Sequence, residues 1–206
     1  IRAKKMELIP TLKIGWLNGW ILLCLIYLIF GILLLAFPKD VISRLYNYDR
    51  SSWSKTQRAF YIIGKLLAFV CLILIILTPL KIRANIFIPG IILFALGLAG
   101  FIIALFNFKN TPSDQPVARG LYRISRHPQV LMLFIMSIGI CITIGSGLVL
   151  FIVIISSLFL HYRDLAEEKA CLERYGDSYR NYMKLVPRYF LIKTHIKEEE
   201  KNVKKY

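Results

Sequence analysis

The chain has 206 residues, 57% of them hydrophobic, with a mean hydropathy of +0.59, against an apolar share of about 45–50% in soluble domains. Its 27 Lys and Arg outnumber 12 Asp and Glu, and the charges gather in a few stretches between long uncharged runs. This excludes a disordered chain, argues against a water-soluble core or a nucleic-acid partner, and fits a membrane protein with basic flanks.

Taken in order, the first predicted span covers residues 14–38, which hold no charge; a helix needs about 20 apolar residues to cross a bilayer. The second covers 59–80, broken only by Lys65, whose long side chain can reach the interface. The third covers 84–108, joined to the second by a short link at Lys81 and Arg83. A fourth uncharged run, 128–162, would be about 52 Å long as one helix, too long for one span. Gly145-Ser146-Gly147 offers the break, giving a hairpin of two helices of roughly 15 residues each by that length. The expected fold is an all-α integral membrane protein with about five spans, the last two a hairpin, followed by a C-terminal helical segment on the cytoplasmic side. Residues 1–83 form an N-terminal membrane region, 84–190 the region that carries the chemistry, and 191–206 a polar tail.

Basic residues set the orientation. Six Lys and Arg fall on the side of the N-terminus and twenty on the other, which predicts the N-terminus outside and the C-terminus in the cytoplasm. Cys24, Cys71 and Cys141 lie inside apolar runs and read as reduced core residues, with only Cys171 in a polar segment.

The polar groups able to do chemistry collect between Asn107 and Tyr122, at Arg126-His127-Pro128, and from Arg163 to Arg188. Ionisable groups at a membrane edge are costly unless paired or wet, so they mark candidate sites. Arg163 and Glu167 stand at i and i+4 and share a helix face; a helix-end ion pair is the structural alternative to a functional role. Glu167 and Glu168, side by side, cannot both pair with Arg163, so one of them has another partner or faces water. Pro128 suits a first helical turn and places Arg126 and His127 at a helix N-terminus, whose free N–H groups attract anions. His161 and His195 are isolated and no Cys-x-x-Cys occurs, so the spacing predicts no metal site.

The run Gly120-Leu121-Tyr122-Arg123-Ile124-Ser125-Arg126-His127-Pro128, an apolar hairpin, Glu167-Glu168, the tyrosines 175, 179 and 182, and Val186-Pro187-Arg188 together resemble the isoprenylcysteine carboxyl methyltransferase family. Membrane methyltransferases that modify phospholipid head groups share much of the pattern. The resemblance covers about residues 107–190 and implies a pocket for S-adenosylmethionine, leaving S-adenosylhomocysteine as product. By position, the implied cofactor contacts are Asn107, Gln115, Pro116, Val117, Tyr122, Arg126, His127, Pro128, Gln129 and Val130. The implied catalytic and acceptor-side residues are Arg163 and Glu167. The family usually carries an aromatic residue where this chain has Val130, which alters packing around the cofactor.

The resemblance implies methyl transfer to the carboxylate of a lipidic, isoprenylcysteine-like or prenylated acceptor that enters from the bilayer. A carboxylate is already a nucleophile at neutral pH, so such a transfer needs alignment and exclusion of water rather than a strong base. Arg163 would hold the carboxylate in a two-pronged bond, and Glu167 would orient it, or accept a proton from an amine acceptor. The alternatives are a phospholipid amine N-methyltransferase, an NADPH-dependent enzyme of the sterol-reductase type, and a non-catalytic membrane adaptor.

Overall fold

Apolar backbone in lipid must satisfy its own hydrogen bonds, which favours helices. The computed structural model describes residues 6–46 and 53–190, and among these the regular structure is helical. The helices are α1 (Trp20–Ala36), α2 (Lys39–Tyr46), α3 (Lys55–Leu77), α4 (Phe87–Lys109), α5 (Pro128–Ile144), α6 (Gly147–Tyr175) and α7 (Asp177–Leu185), with a 3-10 turn at Gly120–Arg123 before α5. Three of them, α3, α4 and α6, are long and apolar enough to cross a membrane; α1 and α5 are apolar but have 17 residues each. The chain is thus an all-α membrane protein, with five apolar helices among the described residues.

The first predicted span is corrected in extent. Helix α1 begins at Trp20 rather than near residue 14, because residues 6–19 are used otherwise. This segment crosses one end of the bundle as a strap. Glu7 exchanges backbone bonds with Gly145 and Gly147, and its carboxylate meets Lys81 Nζ at 2.9 Å. Lys13 N–H bonds Leu77 O, and Gly19 N–H bonds Thr78 O. Asn18, 2% exposed, donates to the carbonyls of Lys13 (2.6 Å) and Ile76 (3.0 Å). The strap thereby satisfies backbone groups left open at helix ends.

The hairpin break falls where the sequence places it. Gly145 caps α5 in the left-handed region (φ 67°), and Ser146 caps α6, accepting from Val149 N–H at 3.2 Å. The two arms are unequal, however. Helix α6 does not end near Tyr162 but runs 29 residues to Tyr175, so its last turns project past the apolar run and carry Arg163 to Glu168 on a rigid rod.

Helix α4 packs along α5, and α3 along α6. Small residues allow the first of these contacts: a Cβ on Gly139 would lie 2.4 Å from Phe94 N, and one on Gly97 would lie 2.7 Å from Met136 N. Close backbone approach of this kind is how helices associate in lipid, where apolar burial gives little drive. The core between the helices is built from residues such as Phe94, Leu105, Met136, Ile140 and Val149. Tyr179, Tyr182 and Val186 form a second, smaller cluster that seats α7 against α6. The four cysteines are free thiols. The polar tail 191–206, including His195, lies outside the described residues.

Candidate functional site

At the end of the bundle opposite the strap, three segments meet around one carboxylate. Glu168, 3% exposed, stands on the projecting part of α6. Arg188 reaches it with two prongs, Nε to Oε1 at 2.9 Å and Nη2 to Oε2 at 2.6 Å. His127 Nε2 lies 3.1 Å from Oε1, and Arg126 Nε 3.4 Å from the same oxygen. A buried carboxylate is tolerable only when its lone pairs are filled; here Arg188 and His127 do so by hydrogen bonds, and Arg126 adds a charge at ion-pair distance. The Arg126 and His127 side chains at this turn face the protein's own Glu168.

Further hydrogen bonds hold the same three segments. Arg126 N–H bonds Pro187 O at 3.0 Å, and Ser125 Oγ donates to Arg188 O at 2.8 Å. Tyr182 OH donates to Tyr122 O at 2.7 Å, and Gln129 Nε2 donates to Tyr122 OH at 2.9 Å. Pro128 begins α5 directly after His127. The loop, helix start and C-terminal segment that the resemblance selects are therefore one assembly, locked from below by α7.

Beside it lies a second polar group. Asp164, 1% exposed, accepts from Arg163 through Nε (3.1 Å) and Nη2 (2.9 Å) at one oxygen. Its other oxygen takes the Tyr189 hydroxyl, which also lies 2.9 Å from His161 Nδ1. The i, i+4 placement of Arg163 and Glu167 holds, since both are on α6, but the guanidinium bonds its neighbour Asp164. Of the paired glutamates, Glu168 is the buried one; the Glu167 side chain is 44% exposed, with Oε2 3.9 Å from His127 Nδ1.

Burial alone would favour neutral His127. The bond to Glu168 and the nearby charges of Glu167 and Asp164 outweigh that cost and hold its pKa above the ordinary 6.5. Burial pushes the Tyr122 hydroxyl well above its ordinary value, so it stays protonated.

The remaining expected residues are placed as follows. Asn107, near the end of α4, faces the 3-10 turn; its Nδ2 is buried and has no hydrogen-bond partner among the described residues. The turn is close because Gly120 has φ 54°, and a Cβ there would lie 2.2 Å from Asn107 Nδ2. Gln115 is exposed, while Pro116, Val117 and Val130 are partly buried. Their loop is fixed by Arg119 Nη1 on Asn110 O (2.8 Å) and by Arg174 Nη2 on Ser113 O (3.1 Å).

Sequence reading misses Asp164, Arg188 and Tyr189, because their roles depend on contacts across 20 or more positions, as for Glu168 and Arg188. The doubled glutamate and the closing Val186-Pro187-Arg188 are the available signals. Linear spacing also conceals that His127, Asp164 and Glu167 each bring one potential metal-ligating atom within 4.8 Å of the others. Both oxygens of Asp164 in that group already accept hydrogen bonds.

No curated protein and no solved structure matches the chain. The sequence model of the phospholipid methyltransferase family matches residues 73–178, from the end of α3 through the hairpin to the start of α7. That match covers just over half of the 206 residues and takes in the Arg126-His127 turn and the Glu167-Glu168 pair, so the chain belongs to the phospholipid methyltransferase family, membrane enzymes related to the isoprenylcysteine carboxyl methyltransferases.

Proposed function

We propose that the protein transfers the methyl group of S-adenosylmethionine to the polar head of a lipidic acceptor, with a phospholipid amine as the acceptor. The observation that carries this reading is the division of labour between adjacent glutamates: Glu168 is consumed by Arg188 and His127, whereas Glu167 keeps an exposed carboxylate beside the same turn. When bound, the cofactor supplies an electrophilic methyl on a sulfonium. The residues present fit it. Asn107 offers a buried donor without an acceptor among the described residues, suited to a ribose hydroxyl or the amino-acid carboxylate, and the nearby turn ends in Arg126 and His127, whose pKa is raised. In this reading Tyr122, held by Gln129, and the loop from Gln115 to Val117 would wall this side, with Val130 leaving more room than an aromatic ring.

An amine acceptor arrives protonated and must lose a proton before its lone pair can attack carbon. Glu167 is the carboxylate with access to water, and it takes that proton at Oε1 or Oε2 and releases it to solvent. The rest of the assembly acts by holding: Glu168 and Arg188 fix His127 and the start of α5, so the acceptor and donor are aligned rather than activated. The basic face at this end is the cytoplasmic one in this reading, with the lipid entering sideways from the bilayer.

A carboxylate acceptor of the isoprenylcysteine type is the second reading, and Arg163 is the observation in its favour, since a partly exposed guanidinium beside Glu167 suits an acid. It requires Arg163 to share itself between the acceptor and Asp164. Equilibrium binding of labelled S-adenosylmethionine to the purified chain tests the cofactor. Saturable binding competed by S-adenosylhomocysteine and not by NADPH is expected; competition by NADPH alone would move the chain to a reductase role.

A further inference from the structure

The end of α4 has two working faces. Helical residues step by about 100°, so Asn107 and Lys109 point about 200° apart by the same geometry. Asn107 meets the 3-10 turn at Gly120. Lys109 turns away, its Nζ 5.1 Å from the Phe37 ring centroid and 5.7 Å from that of Phe106. On this second face a cleft of about 480 Å³ opens between α2, the end of α4, the following residues 110–113, and Arg174 on α6.

Three cations line it, Arg44, Lys109 and Arg174, against one acid, Asp40. Arg44 donates to the carbonyls of Thr111 (2.8 Å) and Phe108, which anchors α2 to the last turn of α4. Its Nε is buried and without a hydrogen-bond partner among the described residues. Lys109 has no carboxylate within 4.0 Å among the described residues. Arg174 spends one nitrogen on Ser113 O and is otherwise exposed. Exposed apolar side chains stand on the helix ends near the cleft: Leu35 on α1 is 91% exposed, and Ile103 and Phe106 on α4 are 50% and 40% exposed.

We propose that this cleft binds the phosphodiester of an anionic phospholipid, with the acyl chains lying along Leu35, Ile103 and Phe106. Excess positive charge at a membrane edge is costly unless paired, and a phosphate accepts charge-assisted bonds from Lys and Arg together. Among the described lining residues Asp40 is the one acid that could receive a head group's own cation, against three cations, so a phosphatidylglycerol-type lipid is favoured over a choline lipid. The site is on the far face of α4 from Asn107 and does not depend on the identity of the methyl acceptor.

The test is thermal unfolding of the full chain in detergent, titrated separately with dioctanoyl phosphatidylglycerol, dioctanoyl phosphatidylcholine, dioctanoylglycerol and inorganic phosphate. Saturable stabilisation is expected with phosphatidylglycerol at concentrations where the other three do little. The double variant Lys109→Gln/Arg174→Gln should weaken it by about tenfold or more, while Asp40→Asn tightens it. Lys13→Gln/Arg83→Gln removes the same charge at the strap end and should leave affinity unchanged. Helical circular dichroism before titration checks that each variant is folded, and Asp40→Asn tests the site if the double variant is not. Equal weakening by both double variants, equal stabilisation by dioctanoylglycerol, or full stabilisation by inorganic phosphate alone would each overturn the proposal.

Discussion

Glu168 and Arg188, 20 positions apart, form a two-pronged ion pair in which both carboxylate oxygens are engaged, at 2.9 and 2.6 Å. The pair closes the segment after α7 onto the projecting end of α6 and, through His127, onto the start of α5. Removing one partner of such a buried pair leaves an uncompensated charge, at a cost of about 3–5 kcal/mol.

Glu168→Ala and Arg188→Ala should therefore lower the unfolding midpoint strongly. Glu167→Gln, on a half-exposed side chain, should change stability by less than about 0.5 kcal/mol while reducing methyl transfer. Midpoints in detergent, measured beside activity per folded molecule, distinguish the two glutamates. Equal loss of stability at both positions would contradict the assignment of Glu168 as the structural member.

Arg163→Ala reports on the acceptor. A charge-assisted bond to a carboxylate contributes about 1.5–3 kcal/mol, so an acid acceptor would lose roughly one to two orders of magnitude in kcat/KM. With the amine acceptor proposed here, KM for the lipid should stay within a few-fold, a shift of less than about 1 kcal/mol. Steady-state kinetics on an amine lipid and on an isoprenylated acid separate these outcomes.

Stability should depend on pH through His127. Its folded pKa is raised above the ordinary 6.5, so the protonated ring's contribution is complete below that pH. It is lost as pH rises through the folded value. Midpoints measured from neutral to alkaline pH should fall in the parent and fall less in His127→Asn. An unchanged slope in the variant would remove His127 as the source.

Gly139→Leu should break the α4–α5 contact, because even a Cβ there would sit 2.4 Å from Phe94 N. Overpacking of this kind costs about 1–3 kcal/mol or more. Gly31, where a Cβ would meet nothing within 4 Å, is the control: Gly31→Leu should be tolerated. Unfolding midpoints of the two variants, compared with the parent, check the contrast.

The helices are legible because long uncharged runs in lipid must satisfy their own backbone hydrogen bonds, and the hairpin break because Gly145-Ser146-Gly147 is both flexible and the only such punctuation in its run. Apolarity alone makes α1 too long, since it cannot tell a span from a strap: Ile14 and Trp16 are as apolar as the helix but belong to a segment bonded to other helix ends. At the site, local spacing singles out the stretch of α6 and the turn that the structure brings together around Glu168. It cannot show that Tyr189 bonds Asp164 or that Arg188 fills Glu168, since both depend on how α6 and the segment after α7 are brought together. The doubled glutamate carries both a structural and an exposed member, and only burial separates them.

The most direct measurement is transfer of label from methyl-labelled S-adenosylmethionine in the presence of phosphatidylethanolamine vesicles containing the purified chain. Label is expected in a chloroform-extractable, base-stable methylamine, formed by the parent and strongly reduced in Glu167→Gln at unchanged cofactor binding. Label appearing only as a base-labile ester would contradict the amine acceptor, and equal transfer by the parent and Glu167→Gln would contradict the role given to the exposed carboxylate.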